Sequence, residues 1–218
     1  MEYLNLMSVH LKYVGTVSRM SNLRHLDIVR SKLTSIGQVS DLVNLEMLLT
    51  QSAEIKTGNS IGDLSKLQKL TYFSLYSNYG IEERADISRL TNLEVLYAPR
   101  CGFDTIGEIT GLTKLKFVDM KREGWRKQMH LQEFGVVSKL TELVQFKFTS
   151  FNQESLGDFT KLLKLEVLDT SSNNLTYLGD FSNLTRLRSV NISNNLIESI
   201  GDVSKLSTLR ALDVTKNR

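Results

Sequence analysis

The stretch LEVLDTSSNNLTYLGDFSNLTR occupies residues 165–186, and LRSVNISNNLIESIGDVSKLST follows directly as residues 187–208. The second stretch repeats the first with a shift of 22 residues, so that its apolar residues, an asparagine, a glycine and a serine return at the same places. A repeat of this length is typical of a solenoid, in which stacked units share one core. This pattern decides the fold class of the chain.

The first apolar position of the unit recurs along the whole sequence. It falls at Met1, Leu23, Leu45, Leu70, Leu93, Leu115, Leu143, Leu165, Leu187 and Leu209. Six of the nine intervals are 22 residues long, and the others are 25, 23 and 28. We therefore expect a single repeat domain over residues 1–218, with about nine full repeats and a truncated tenth, as part of a longer protein.

The hydrophobic period changes inside each unit. Leu26 and Ile28 alternate with other residues as in a β-strand, which sends successive side chains to opposite faces. Later in the unit, apolar residues spaced three apart indicate a tight helical turn. A single unit cannot close a core of its own, so neighbouring units must stack. The sequence therefore predicts an α/β solenoid with a parallel sheet along one side.

These motifs resemble the leucine-rich repeat family, and the resemblance covers the whole chain. The repeat length resembles the 22-residue short subclass of bacterial internalins and of intracellular phosphatase-regulator-like repeats. It implies a horseshoe with a concave parallel β-sheet and short helical or 3-10 turns on the convex side. It also implies a non-catalytic scaffold that binds another protein. Internalins usually carry proline after the repeated serine, where this chain has residues such as Arg19, Lys66 and Lys205.

Three polar columns accompany the leucines. A serine or threonine lies two residues before the last large apolar residue of every complete unit, which is a leucine in all units except the first, and we expect its hydroxyl to accept an N–H bond that caps the outer turn. A glycine before most of these residues suits a bend with positive φ. We expect the asparagine column to bond the backbone of neighbouring turns. This column contains Asn78, Asn173, Asn195 and Asn217, with Ser31 and Cys101 as partial substitutes.

Composition limits the classes of partner and compartment. The formal net charge is +3, which is too small to indicate nucleic-acid binding by itself. The single cysteine, Cys101, permits no internal disulfide. No run approaches the roughly 18 apolar residues of a membrane span. The location stays open between an intracellular protein and a bacterial surface or secreted protein.

The residues beside each buried leucine of the strand are expected to face the concave side. In units two to six these positions carry aromatic and basic side chains, whereas units eight to ten carry mostly small polar residues. Exposed aromatics and arginines on a rigid surface are typical of interaction hot spots. We therefore predict a protein-binding surface that contains Tyr72, Tyr76, Tyr97, Arg100, Phe117, Lys121 and Arg122.

Other interpretations stay open from the sequence. The aromatic side chains can simply pack on each other across strands. A ribonucleoprotein-type adaptor would use a basic patch of Arg100, Lys121, Arg122, Arg126 and Lys127, with Trp125 stacked on a base or placed in the core. The chain can also be the targeting arm of an enzyme whose catalytic domain lies outside it. Its ends can associate with each other or require flanking caps.

The sequence offers no catalytic constellation. The three histidines are His10, His25 and His130. None of them has a cysteine or carboxylate at metal-ligand spacing. The interrupted acidic column that includes Asp119 and Asp169 is interpreted as polar filler of the repeat. We expect no enzyme activity, no metal site and no cofactor.

Overall fold

The computed structural model shows ten short β-strands in one parallel sheet. It describes residues 1–8, 10, 17–31, 39–51, 63–77, 86–101, 105–122, 131 and 134–218. Each strand pairs with the next one along the chain, which confirms the predicted solenoid. The strands are β1 (Tyr3–Asn5), β2 (His25–Asp27), β3 (Met47–Leu49), β4 (Tyr72–Ser74), β5 (Val95–Tyr97), β6 (Phe117–Lys121), β7 (Gln145–Thr149), β8 (Val167–Asp169), β9 (Ser189–Asn191) and β10 (Ala211–Asp213).

The alternation within each strand separates the core from the concave face. Leu26 in β2 and Ile28 just after it are each 1% exposed. Burying a large aliphatic side chain gains about 1.5–3 kcal/mol before the entropy of folding is subtracted. His25 and Asp27, on either side of Leu26, lie partly exposed on the opposite face. The leucines therefore hold the units together, and the concave face is left to carry other side chains.

The side opposite the sheet is built mainly from turns. The described part of the chain has one 3-10 helix, Val17–Arg19, and its equivalent segments are short hydrogen-bonded turns. In unit two the N–H of Leu42 donates to the carbonyl of Val39 at 2.9 Å, and that of Leu45 donates to Leu42 at 2.8 Å. Bonds of this spacing are those of a 3-10 turn. The convex turns that the sequence predicts are thus of the 3-10 type.

The outer turns are capped by aspartates, and this corrects the role expected for the serine and threonine column. In most described units the N–H of the serine or threonine donates to the carboxylate two residues earlier. These carboxylates, at 2.7–2.9 Å, belong to Asp63, Asp86, Asp158, Asp180 and Asp202. Hydrogen bonds from the hydroxyl and the N–H of Thr160 lower the pKa of Asp158. The hydroxyl of Thr110 does accept an N–H bond, from Val136 at 3.1 Å.

The glycine column has the positive φ angles that the sequence predicts. The angles lie between +76° and +93° at Gly107, Gly135, Gly157, Gly179 and Gly201. A Cβ atom at Gly179 would collide with the carboxylate of Asp158 and the hydroxyl of Thr160 in the preceding unit. The missing side chain therefore serves both the turn and the close stacking of one unit on the cap of another.

The asparagine column joins neighbouring units through buried backbone groups. Asn173 is 5% exposed, and its Nδ2 atom donates to the carbonyls of Phe148 and Thr170 at 2.9 and 3.0 Å. Its Oδ1 atom accepts the N–H groups of Phe151 and Gln153 at 3.1 and 3.2 Å. One amide therefore satisfies four backbone groups that would otherwise lie unpaired away from water.

The same position is filled in related ways elsewhere. Asn195 and Asn217 repeat the pattern: each donates to two carbonyls and accepts an N–H of the preceding unit, from Leu175 and Ile197 respectively. The buried thiol of Cys101 donates to the carbonyl of Leu75 at 2.9 Å. A thiol is a weaker donor than an amide. The predicted role of the column is confirmed at these positions, and Asn78 lies outside the described residues. For Ser31 the prediction is wrong, because its buried Oγ atom has no hydrogen-bond partner among the described residues.

Unit seven carries Phe151 where the asparagine is expected. The ring of Phe151 stacks on Phe148, with ring centroids 4.4 Å apart, and Phe148 lies 4.3 Å from Phe134. Gln153, two residues later, donates its Nε2 atom to the carbonyl of Leu131 at 2.7 Å. An aromatic cluster and a buried glutamine thus replace the asparagine in this unit.

Replacing Asn173 by alanine tests the asparagine column. Asn173→Ala removes partners from four buried backbone groups, and each such loss costs about 1–3 kcal/mol where water cannot replace the bond. We expect the free energy of unfolding to fall by about 2–4 kcal/mol in urea denaturation. The exposed neighbour gives a matched control, and Asn174→Ala should change it by less than about 0.5 kcal/mol. Equal losses in both variants would contradict this account.

Candidate interaction surface

The fixed register sets equivalent residues of successive units side by side on the concave face. Met47 in β3, Tyr72 in β4, Val95 in β5 and Phe117 in β6 are successive register partners. Phe117 is 41% exposed, and the other three are partly exposed. Because adjacent strands lie about 4.8 Å apart, these side chains form a continuous apolar row across four strands.

A cluster of tyrosines lies on the same face beside this row. The rings of Tyr76 and Tyr97 have centroids 5.8 Å apart and an interplanar angle of 32°. The guanidinium carbon of Arg100 lies 6.0 Å from the centroid of the Tyr76 ring, at the limit of a cation–π contact. We call Tyr72, Tyr76, Tyr97 and Arg100 the tyrosine cluster. Its rings are partly exposed, so they offer aromatic surface to a partner.

The pKa of Tyr97 is shifted by groups of this cluster and by a carboxylate on the next strand. Burial raises the pKa of Tyr97, and the carboxylate of Asp119 and the neighbouring Tyr76 and Tyr72 raise it further. The positive charge of Arg100 acts in the opposite direction. Tyr97 is therefore neutral at physiological pH, and its hydroxyl can both donate and accept a hydrogen bond.

Two ion pairs cross the strands next to the cluster. The Nζ atom of Lys121 in β6 lies 2.6 Å from the carboxylate of Asp169 in β8, so the side chain reaches across β7. Lys147 in β7 lies 3.7 Å from the carboxylate of Asp119 in β6. Burial raises the pKa of Asp119, because the attraction of the two lysines and its hydrogen bonds do not offset the loss of solvent. This part of the face is charged but internally balanced.

The acidic column has a structural task that the filler interpretation missed. The Oδ1 atom of Asp169 accepts the N–H of Ser171 at 3.3 Å and its hydroxyl at 2.7 Å, which turns the chain at the end of β8. Asn191 holds Ser193 through the same two bonds at 3.1 and 2.7 Å. Such turns are a common use of aspartate and asparagine. An amide can thus replace the carboxylate in this turn.

Arg122 does not lie on the exposed face, which corrects its place in the predicted surface. It is 5% exposed, and its guanidinium carbon lies 5.4 Å from the ring centroid of Phe151. Its N–H donates to the Oγ1 atom of Thr149 at 3.3 Å. Arg100, in the same column, sits at a turn with φ of +59° after the three-residue strand β5. Arg122 does not share this positive φ angle, and its side chain packs against Phe151 of the next unit.

The basic patch of the ribonucleoprotein interpretation is not assembled by the described residues. Lys121 is held in its ion pair, and Arg122 is buried. Arg100 lies apart from them in the tyrosine cluster, and Trp125, Arg126 and Lys127 lie outside the described residues. The remaining predicted residues do come together, because Tyr72, Phe117 and the ring pair Tyr76–Tyr97 share one face.

Sequence reasoning missed the ion pairs on the face, because it interpreted Asp119 and Asp169 as polar filler. Asp119, Lys147 and Asp169 are successive register partners on β6, β7 and β8. Opposite charges that face each other on neighbouring strands attract. The alternation of acidic and basic residues along this column is the signal from which the ion pairs could have been predicted. Within the described residues no three potential metal ligands lie close enough to hold an ion. No helix in that part of the chain has the length and apolar character to cross a bilayer.

The consecutive parallel strands, the buried leucines and the asparagine bonds define the leucine-rich repeat fold, and this chain has that fold. A leucine-rich repeat protein of Leptospira interrogans is similar, with a TM-score of 0.72 and 21% identity over 98% of this chain and 54% of its own. The functional domain of InlJ from Listeria monocytogenes, which includes a cysteine ladder, has a TM-score of 0.68 and 23% identity over 95% of this chain and 47% of its own.

Internalin C2 of Listeria monocytogenes has a TM-score of 0.63 and 17% identity, over 97% of this chain and 80% of its own. The chain spans about half the length of the first two proteins. No protein-family model and no curated protein matches the sequence. These likenesses establish the fold, and the residues of the face carry the argument about function.

Two substitutions by asparagine, made one at a time, distinguish how the two ion pairs on the face affect stability. Asp119→Asn should raise the free energy of unfolding at pH 7, because a group whose pKa is raised by burial is disfavoured in its charged form. Asp169→Asn should lower it by about 0.5–1 kcal/mol, since the turn is kept but the Lys121 ion pair is lost. Urea denaturation measures both changes. A decrease for Asp119→Asn at pH 7 would contradict the assignment.

Proposed function

We propose that this chain is a non-catalytic scaffold that holds a partner protein on its concave face. Its contact centre is the tyrosine cluster together with Phe117. The observation that carries the proposal is the exposure of a continuous aromatic and apolar area on a sheet whose other face has a complete core. The fold does not need these side chains for its core, so their hydrophobic surface is available to a partner.

The surface offers two different kinds of contact. The row from Met47 to Phe117 and the Tyr76–Tyr97 rings suit aliphatic or aromatic side chains of a partner. Beside them, Lys121 and Lys147 are already paired with aspartates. A partner group with an isolated charge would have to compete with these pairs, so this part of the face favours partner groups that fit between the existing charges. A partner should therefore bind mainly through apolar contact and be only weakly sensitive to salt.

The fold favours this function over catalysis. Repeat scaffolds with this architecture present a long surface, and the similar solved structures are leucine-rich repeat proteins. We also propose that residues 1–218 act as one recognition unit, since a single sheet joins all ten strands.

The test removes the two central rings. Tyr76→Ala with Tyr97→Ala should weaken binding of a partner isolated with the wild-type chain by about 30-fold or more, because two hot-spot rings are lost. The partner is first captured, then purified and titrated calorimetrically against each variant. Its salt dependence is measured in the same titrations.

The matched control removes comparable exposed apolar area elsewhere. Leu163 and Tyr177 are 54% and 58% exposed and lie off the concave strands, so Leu163→Ala with Tyr177→Ala should leave the affinity within about twofold. Circular dichroism must show that both double variants are folded. If the tyrosine variant binds as tightly as wild type, the proposed surface is wrong.

A further inference from the structure

A second surface lies at the edge of the solenoid from which the strands begin. In each unit, eight residues lead from the outer turn to the start of the next strand. These segments are residues 17–24, 39–46, 64–71, 87–94, 109–116, 137–144, 159–166, 181–188 and 203–210. We call them together the basic flank.

The basic flank concentrates positive charge. It holds 14 of the 27 lysines and arginines of the chain but 5 of its 24 acidic residues, so it carries +9 where the whole chain carries +3. The other residues together are therefore acidic. Of the 14 basic side chains, 13 are exposed, and the remaining one, Lys116, is partly buried.

Contacts between units show that the flank is one continuous surface. Four of its basic residues pair with an acid of a neighbouring unit, at 2.6–3.1 Å. These pairs are Arg24–Glu46, Lys116–Glu94, Lys164–Glu142 and Arg188–Glu166. Two more lysines reach amides of the preceding unit, because Lys69 donates to Asn44 at 2.7 Å and Lys114 to Asn92 at 2.6 Å.

The pairing leaves an excess of cations in a row. Ten basic residues of the flank have no ion pair among the described residues, and one flank acid, Asp41, is likewise unpaired there. These residues are Arg19, Lys66, Lys69, Arg89, Lys114, Lys139, Lys161, Arg186, Lys205 and Arg210. The seven consecutive segments from 64–71 to 203–210 each contribute at least one of these cations, so with strands about 4.8 Å apart their row extends for roughly 30 Å. A surface of this kind attracts a long polyanion.

We infer that the basic flank binds a sulfated polysaccharide chain. Exposed amide and hydroxyl side chains lie between the cations, such as Thr113, Thr141 and Asn183. These groups both donate and accept hydrogen bonds, which matches the hydroxyls of a sugar, whereas a DNA backbone offers only acceptors. A flexible polysaccharide can also follow the curved row.

Nucleic acid fits this surface less well. The two aromatic side chains of the basic flank, Phe159 and Phe181, are fully buried. The flank therefore offers no platform on which the bases of a single strand could stack. A DNA duplex has a persistence length of about 50 nm and would have to bend to stay on the row. The flank is also separate from the tyrosine cluster, so the inference does not depend on the proposed function.

The experiment uses heparin as the probe. Its affinity for the full chain is measured by calorimetry at several salt concentrations between about 50 and 200 mM. Wild type should bind with a logarithm of affinity that falls linearly with the logarithm of salt concentration. Lys139→Glu with Lys161→Glu should bind at least about tenfold more weakly and reduce that slope by about two, one for each lost contact.

The control changes the net charge equally away from the flank. Lys216 and Arg218 are exposed near β10, and Lys216→Glu with Arg218→Glu should retain heparin affinity within about twofold. Lys139→Gln with Lys161→Gln gives a milder second variant, whose affinity should lie between those of wild type and the glutamate variant. Thermal melts by circular dichroism establish that each variant folds.

Parallel titrations with unsulfated hyaluronate, a short DNA duplex and phosphatidylserine vesicles identify the anion. Heparin should bind most tightly. No heparin binding, or an equal loss in the flank and control variants, would overturn the inference. Tighter binding of the duplex or of the vesicles, with the same dependence on Lys139 and Lys161, would overturn it in favour of that ligand.

Discussion

The rest of the structure depends on backbone hydrogen bonds that join each unit to the next in an unbroken register. The N–H of Ile28 donates to the carbonyl of Leu49 at 2.9 Å, and the N–H of Leu75 donates to Tyr97 at 2.8 Å. Equivalent bonds recur between later units. Because no unit can bury its leucines alone, these bonds and the core form together or not at all. The register then fixes the position of every side chain on the surface.

Two surfaces follow from this one constraint. On the concave face, register pairing gathers residues that are distant in sequence, such as Tyr76 and Tyr97, into a single aromatic area. At the edge where the strands begin, the same stacking places one or two basic residues from every flank segment except 39–46 in a long charged row. Neither surface is needed for the core, since the glycine, asparagine and aspartate columns already close the turns.

The sequence predicts the parts of the fold that repeat. Leu26, Asn173 and Gly179 have the burial, the bonds and the backbone angle expected of their columns, because the same local geometry recurs in every unit. The cap was harder to assign, since a Ser or Thr column and an Asp column lie two residues apart and either can supply it. Only the geometry shows that the carboxylate of Asp158 accepts the bond from Thr160.

The sequence predicted which side chains lie on the concave face better than it predicted which of them contact each other. The columns placed Tyr72, Tyr97 and Phe117 on one face, whereas Arg122 is buried against the ring of Phe151. Phe151 belongs to the next unit, so a single-unit pattern does not contain this contact. The ion pair from Lys121 to Asp169 spans two strands, so neighbouring columns alone did not reveal it.

Amide hydrogen exchange followed by NMR tests the central claim most directly. The account predicts slow exchange, protected nearly to the level of global unfolding, at the amides that donate to the next unit. These include the amides of Ile28, Thr50, Leu75, Ala98, Thr170 and Ile192. The exposed amides of Tyr177 and Glu198 should exchange much faster. Unprotected exchange along the first group would contradict a sheet built from stacked units in one register.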